Sequence, residues 1–318
     1  MIYDMENLIF SLNATVPVFF MMLLGLFFHK IGWIDESFAS KMNKFVFLVP
    51  LPLLLFEDLA TVDFEEVWNI KFVLFCFGAT IASIAIASAI SFLWKDRRIQ
   101  GEFIQSSYRS SAALLGIAFI QNIYGSAGLA PLMIIGSVPL YNIMAVIVLS
   151  FFQPERKDLD KAVLKKTAKG ILTNPIIIGI AAGLLWSALK IPMPHILSKT
   201  ISSIGGMATP MGLMAMGATF DIRKAFSKAR PAAVAVLIKL VGFCTIFLPA
   251  AISLGFRQEE LVAILVMLGS ATTVSSFVMA KNMGHDGILS SSVVMLTTLF
   301  SAFTLTGWLY ILKSMGFI

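Results

Sequence analysis

The stretch GSATTVSSFVMAKNMGHD, Gly269 to Asp286, carries polar chemistry where a membrane-crossing segment should have little. It lies inside a run beginning at Leu261 that is otherwise apolar enough to cross a bilayer. Its middle holds Ser270, Thr272, Thr273, Ser275 and Ser276, five hydroxyls within seven residues. A helix that only faces lipid gains nothing from such a cluster. A backbone broken at mid-membrane does, because no bulk water is there to satisfy its freed N–H and C=O groups. Small and hydroxyl residues also line ordinary helix–helix contacts in membranes. Both readings stand on this stretch alone, and the recurrence of the arrangement elsewhere in the chain separates them.

The composition frames that choice. The 318 residues are 58% hydrophobic and only 13% charged, with mean hydropathy +0.88, far from the balance of a soluble domain. The 27 Phe and 5 Trp suit lipid-facing and interfacial surfaces. A net charge of +6 invites a nucleic-acid partner, but the basic residues fall in the gaps between apolar runs, as in cytoplasmic loops. No nucleic acid is expected. Cys76 and Cys244 sit far apart within apolar segments and read as small buried hydrophobes, with neither a disulfide framework nor a metal site. The N-terminal apolar run lacks a basic flank, so a cleaved signal peptide is not expected.

Ten apolar spans are long enough to cross about 30 Å of hydrocarbon. They run over 8–28, 42–61, 70–94, 103–123, 128–152, 173–190, 198–219, 231–254, 260–282 and 288–312. The second is interrupted by Pro50 and Pro52 and closed by Glu57 and Asp58. Connections are short except for 153–172, which carries six Lys/Arg and reads either as a helix lying on an anionic leaflet or as a solvated loop. Basic residues in alternate loops number seventeen against five in the opposite set. That asymmetry puts both termini outside the cell (inner) membrane and the 153–172 loop in the cytoplasm.

Shifting the chain by 158 residues exposes a repeat. Pro17 falls on Pro175, Gly25-Leu26 on Gly183-Leu184, Ser40-Lys41 on Ser198-Lys199, Pro52 on Pro210, Leu55 on Leu213, Ala60-Thr61 on Ala218-Thr219 and Asp63 on Asp221. Each half, 1–152 and 173–318, then holds five spans, and an odd number forces the second half to enter the membrane upside down. Inverted repeats with interrupted helices at the midplane are the build of many secondary transporters. The expected fold is therefore an all-α membrane protein of ten transmembrane helices, arranged as two inverted five-helix repeats. Span four, YRSSAALLGIAFIQNIYGSAG from Tyr108, takes the place in half one that the opening stretch takes in half two. With Gly125 on Gly284, Ser111-Ala112 falls on Ser270-Ala271. If both spans are broken and cross, half-helix N-termini favour an anion between them, while carbonyls of the other half-helices suit a cation or a proton carrier.

With TNPIIIGIAAGLL at 173–185, TPMGLMAMGATFD at 209–221, VPLYN at 138–142 and SFVMAKNMGHD at 276–286, the chain resembles the auxin efflux carriers, which include plant PIN exporters and bacterial malate and malonate permeases. The resemblance spans essentially the whole chain. It implies a ten-span permease of organic anions with broken helices crossing in spans four and nine, and carboxylate substrates driven by protons or the membrane potential. The family pattern RGNxGFIGLP reads RSSAALLGIA here, with Ser111 for the Asn and Ala118 for the crossing Pro; Thr272 stands near the expected Pro of span nine. Gly116 and the hydroxyls can still open the helix.

The candidate substrate-binding residues are Ser110, Ser111, Gly116, Asn142, Pro210, Thr272, Thr273, Ser275 and Ser276. Asn142 reads equally as an interhelical hydrogen bond. Glu57, Asp58 and Lys239 are the proton-coupling candidates, since ionisable residues within spans are expensive and often functional. The bland alternatives are that the carboxylates reach the outer interface and that Lys239 snorkels. Arg109, near the cytoplasmic end, is expected to snorkel. An enzyme is not expected: His29, His195 and His285 lie at span ends, HExxH is absent, and GSAG at 125–128 sits at a span boundary. The coupling ion is H⁺ or Na⁺, a bile-acid-type sodium symporter being the rival build. No cofactor or bound metal is implied, and a homodimer is left open.

Overall fold

The computed structural model describes residues 2–61, 69–112, 117–125, 128–153 and 161–318. Every regular element among them is helical. Gly116 of the candidate set and Asp63 of the repeat lie outside the described residues. Half one opens with α1 (Ile2–Lys30), then α2 (Glu36–Leu48) and α3 (Pro50–Ala60), which together form one bent span. The bend follows from Pro50, which supplies no N–H, and leaves Val49 at φ −127°, ψ −70°. Next come α4 (Ile70–Ser91), the pair α5 (Arg97–Tyr108) and α6 (Ile117–Tyr124), and α7 (Ala130–Phe151). Of the basic connection, 161–172 is helical: α8 (Lys161–Leu172). Half two runs α9 (Pro175–Ala188), α10 (His195–Gly205), α11 (Ala208–Ala218), the short α12 (Ile222–Ser227) and α13 (Ala229–Leu237). A π-helical turn, Ile238–Gly242, joins α13 to α14 (Phe243–Ser253). The pair α15 (Gln258–Gly269) and α16 (Ser275–Asn282) and the long α17 (Ile288–Ser314) complete the chain.

Five helical stretches among the described residues are long and apolar enough to cross a membrane, and Thr15–Lys30 and Pro175–Ala188 are shorter apolar helices. The pattern of burial is that of a protein dissolved in lipid. Phe20, Phe27, Leu74, Leu185 and Phe303 face outward, whereas Thr80, Ser83, Ser137, Thr297 and Ser301 are buried. Four of those hydroxyls, on Ser83, Ser137, Thr297 and Ser301, bond back to their own helix, as Ser83 does to the Ala79 carbonyl (2.8 Å) and Ser137 to that of Met133 (2.7 Å).

Helix starts follow their caps. Asn69 and Asn174 accept the N–H groups of Phe72 and Ile176, and Asp221 accepts those of Arg223 and Lys224 at the exposed α12. The Lys224 N–H, foremost among these, holds the Asp221 carboxyl below the usual carboxylate range. Hydropathy places the fourth span at 103–123, yet α5 begins at Arg97. Of the polar residues that hide this start, Gln100 and Glu102 are themselves buried. Glu102 accepts the N–H groups of Gly287 (3.0 Å) and Ser290 (2.8 Å), capping α17 across the bundle.

Glycines let backbones touch where the halves meet. α1 packs on α11, and α9 packs on α3. A Cβ at Gly25 would run into the Met214 carbonyl, and one at Gly183 would come within 2.7 Å of the Phe56 carbonyl. Gly25 and Gly183, like Phe56 and Met214, are 158 positions apart.

Candidate functional site

The hydroxyl-rich stretches of spans four and nine are both places where the helix stops. α5 ends at Tyr108, with Arg109, Ser110 and Ser111 outside any helix. α15 ends at Gly269, and Ser270 turns to an extended conformation (ψ 164°) before α16 begins at Ser275. The two non-helical segments meet: the Ser111 N–H donates to the Ala271 carbonyl (2.9 Å).

A helix end in an apolar interior exposes carbonyls that need donors. Here each break supplies the other. Thr272 Oγ1 donates to the Ser106 carbonyl at the end of α5 (2.8 Å), and Ser110 Oγ donates to the Met267 carbonyl at the end of α15. Tyr141 on α7 adds a second donor to Met267 (3.1 Å). The Lys239 ammonium reaches both Ser110 Oγ and the Leu268 carbonyl, placing a cation at a helix C-terminus. The Thr272 N–H is taken by Thr297 Oγ1 (3.0 Å).

Beside the meeting point lies a cavity of about 170 Å³. Asp58, Arg109, Ser110, Ser111, Asn142, Thr209, Thr273 and Ser275 supply its polar wall, with Leu51, Leu54, Leu55 and Val138 on the apolar side. Thr273, just ahead of α16, and Ser275, its first residue, line the space, so the positive end of that helix faces it. Arg109 is the dominant charge. Its expected snorkelling does not occur: the residue is 1% exposed. The helix ends one residue before it, which turns the side chain inward instead of along the helix to the interface. Its Nη2 donates to Asn142 Oδ1 and Ser275 Oγ, both at 2.6 Å, and its Nη1 to Gln105 Oε1 (3.3 Å) and Met279 Sδ (2.9 Å). All four acceptors are neutral, and Nε has no partner among the described residues. A buried guanidinium without a counter-anion is costly unless an anion visits it.

The sequence candidates divide accordingly. Ser110, Ser111, Asn142, Thr273, Ser275 and Asp58 line one cavity. Thr272 is buried away from it, its hydroxyl committed to the break. Ser276 is fully buried; its carbonyl accepts from Gln105 Nε2 (2.8 Å) and its hydroxyl has no partner among the described residues. Pro210 is not in the lining, although its neighbour Thr209 is. Glu57 also stands outside, on the half-buried side of α3, while Asp58 is part of the lining. Lys239 lies behind the wall, touching it through Ser110. Arg109 is the residue that sequence reasoning missed. The signal was present: it opens RSSAALLGIA, the stretch whose helix breaks.

The sequence profile of a membrane transport protein family matches residues 10–309. A protein of Rhizobium meliloti (strain 1021) described as "Putative malonate transporter" is 26% identical over 317 residues, covering 95% of this chain and 96% of that one. With a match over nearly its whole length, an all-helical fold and an apolar exterior, the chain belongs to the membrane transport protein family that includes the auxin efflux carriers, and it is an integral membrane transporter and not an enzyme.

Proposed function

We propose that the protein is a secondary active carrier of a small organic anion, a carboxylate, which binds between the two broken spans and is moved by alternating access. The observation that carries this reading is Arg109: a buried cation on the polar wall of a cavity, whose hydrogen-bond acceptors are all neutral. A substrate carboxylate would supply the missing charge. Ser111, Thr273 and the first turn of α16 would supply further donors. The relative described as a malonate transporter supports a carboxylate of few carbons, and the cavity volume of about 170 Å³ fits one.

The architecture behind this reading is ten spans in two inverted repeats, 1–152 and 173–318, joined by the cytoplasmic 153–172 segment, with both termini outside. The helix inventory supports it: five long apolar stretches, two shorter ones, and three pairs of half-helices at α5/α6, α10/α11 and α15/α16. The matched contacts Gly25–Met214 and Gly183–Phe56, related by the same 158-residue shift as the sequence repeat, support the two-fold relation. Asp58 is the coupling carboxyl in this reading, since it shares the cavity with Arg109 and can take a proton where the anion binds. Transport is driven by protons or the membrane potential.

The test is counterflow in proteoliposomes. Vesicles loaded with unlabelled malonate should accumulate labelled malonate, and small mono- and dicarboxylates should compete while amines and neutral sugars should not. Acceleration by an imposed pH gradient identifies proton coupling. Absence of exchange with every carboxylate in the series would overturn the reading.

A further inference from the structure

Lys239 is the other cation buried at the crossing, and the anion site does not account for it. It is 0% exposed and lies on the π-helical turn Ile238–Gly242. A π-turn inserts an extra residue into a helix and is frequently found at functional sites. Here it displaces the ladder enough that the Leu240 carbonyl is taken by Trp308 Nε1 from α17 (3.1 Å). The span also presses close on the end of α15: a Cβ at Gly269 would lie 2.8 Å from Cys244 Sγ. The ammonium therefore arrives at the C-terminal carbonyls of a broken helix. Its partners are the Leu268 carbonyl and Ser110 Oγ, with the Met267 carbonyl bonded to the same Ser110. No carboxylate pairs with it among the described residues.

A carbonyl of a half-helix C-terminus and a hydroxyl from the opposing break, itself bonded to the next carbonyl of that terminus, are the neutral oxygen ligands by which interrupted helices hold coupling cations. We propose that Lys239 is a tethered cation that takes the place of a mobile sodium ion at the crossing. The ammonium is a compact point charge with donors to match these oxygens. It keeps the negative end of α15 compensated throughout the cycle, and it stiffens Ser110, which stands between it and the anion cavity. Sodium then has neither room nor reason to bind at this end of the site. The inference deepens the carrier reading and rests on the crossing being the transport site, but its test needs no substrate.

The test is the thermal stability of the full chain in detergent, in NaCl, KCl or choline chloride at matched ionic strength. The wild type should melt at the same temperature in all three. Lys239→Ala leaves the oxygens and removes the ammonium; it should melt lower in choline chloride and recover by several degrees, saturably, in NaCl or KCl, because a ligand that binds only the folded state stabilises it. Lys239→Met fills the space with an apolar chain and should melt lower with no recovery. Should Lys239→Ala not fold, Lys239→Ser undergoes the same series. A wild type stabilised by sodium over choline overturns the proposal whatever the variants do. So does a folded Lys239→Ala indifferent to cations, which would reduce the lysine to packing. Failure of malonate counterflow in a cation-indifferent wild type would instead strike the carrier reading alone.

Discussion

Replacing Arg109 by glutamine separates a substrate anchor from a structural bolt, because the two roles move different quantities. In the folded protein the guanidinium forms two short bonds, 2.6 Å to Asn142 Oδ1 and 2.6 Å to Ser275 Oγ, and two weaker contacts to Gln105 and Met279. Hydrogen bonds to charged groups are worth about 1.5–3 kcal/mol each. Against them stands the desolvation of a buried ion, several kcal/mol even after relaxation. These terms are of comparable size, so Arg109→Gln should change the melting temperature little. Glutamine also retains a donor for Asn142 or Ser275. Substrate binding should respond differently. A carboxylate held by the guanidinium loses at least one charge-assisted bond, about 1.5–3 kcal/mol, and with about 1.4 kcal/mol per decade the affinity falls roughly ten- to hundredfold. Arg109→Lys retains the charge but not the planar fork and should fall in between. The assays are thermal unfolding without ligand and the half-saturation concentration of malonate in counterflow. If Arg109→Gln lowers the melting temperature by many degrees while half-saturation stays at the wild-type value, Arg109 is a bolt and the anion does not sit beside it.

Three further outcomes are expected. Ala118→Pro restores the proline of the family pattern at the second residue of α6, where proline is tolerated if the span is broken ahead of it; it should fold with a melting temperature near wild type, whereas a proline in an unbroken helix would cost ~3 kcal/mol or more and show as misfolding in size-exclusion chromatography. Asp58→Asn, nearly isosteric, should abolish malonate uptake driven by a pH gradient and preserve counterflow, while Glu57→Gln, outside the cavity, should retain both; full gradient-driven uptake in Asp58→Asn would move coupling elsewhere. In a background lacking Cys76 and Cys244, a cysteine at the exposed Lys190 should react with an impermeant thiol reagent in intact cells and one at the exposed Lys224 should not, the reverse labelling inverting the orientation.

Much of this molecule is written in local chemistry. Lipid demands that backbone groups be paired within the segment, so hydropathy alone was enough to mark an all-helical membrane protein. The 158-residue repeat, with Pro17 on Pro175 and Gly25 on Gly183, was legible because proline and glycine are constrained wherever they stand. The hydroxyls at 108–111 and 270–276 marked the two candidate breaks for the same reason: a helix that stops in an apolar interior needs donors close by. Which of those hydroxyls face a ligand was not legible. Thr272 and Thr273 are neighbours of one chemical type, yet one bonds the Ser106 carbonyl across the crossing and the other lines the cavity. That division depends on where the opposing strand of backbone lies, a distance of more than a hundred residues along the chain. The same holds for the charges. Position along a span put Arg109 near the cytoplasmic end and Lys239 within the span from 231, but position says nothing about direction. Only the stop of α5 at Tyr108 turned Arg109 into the cavity, and only the π-turn at Ile238–Gly242 brought Lys239 to the carbonyls of α15. Sequence determined that the polar groups had to be satisfied inside; tertiary structure decided by whom, because partners such as Ser106 for Thr272 and Met267 for Ser110 lie more than 150 positions away along the chain.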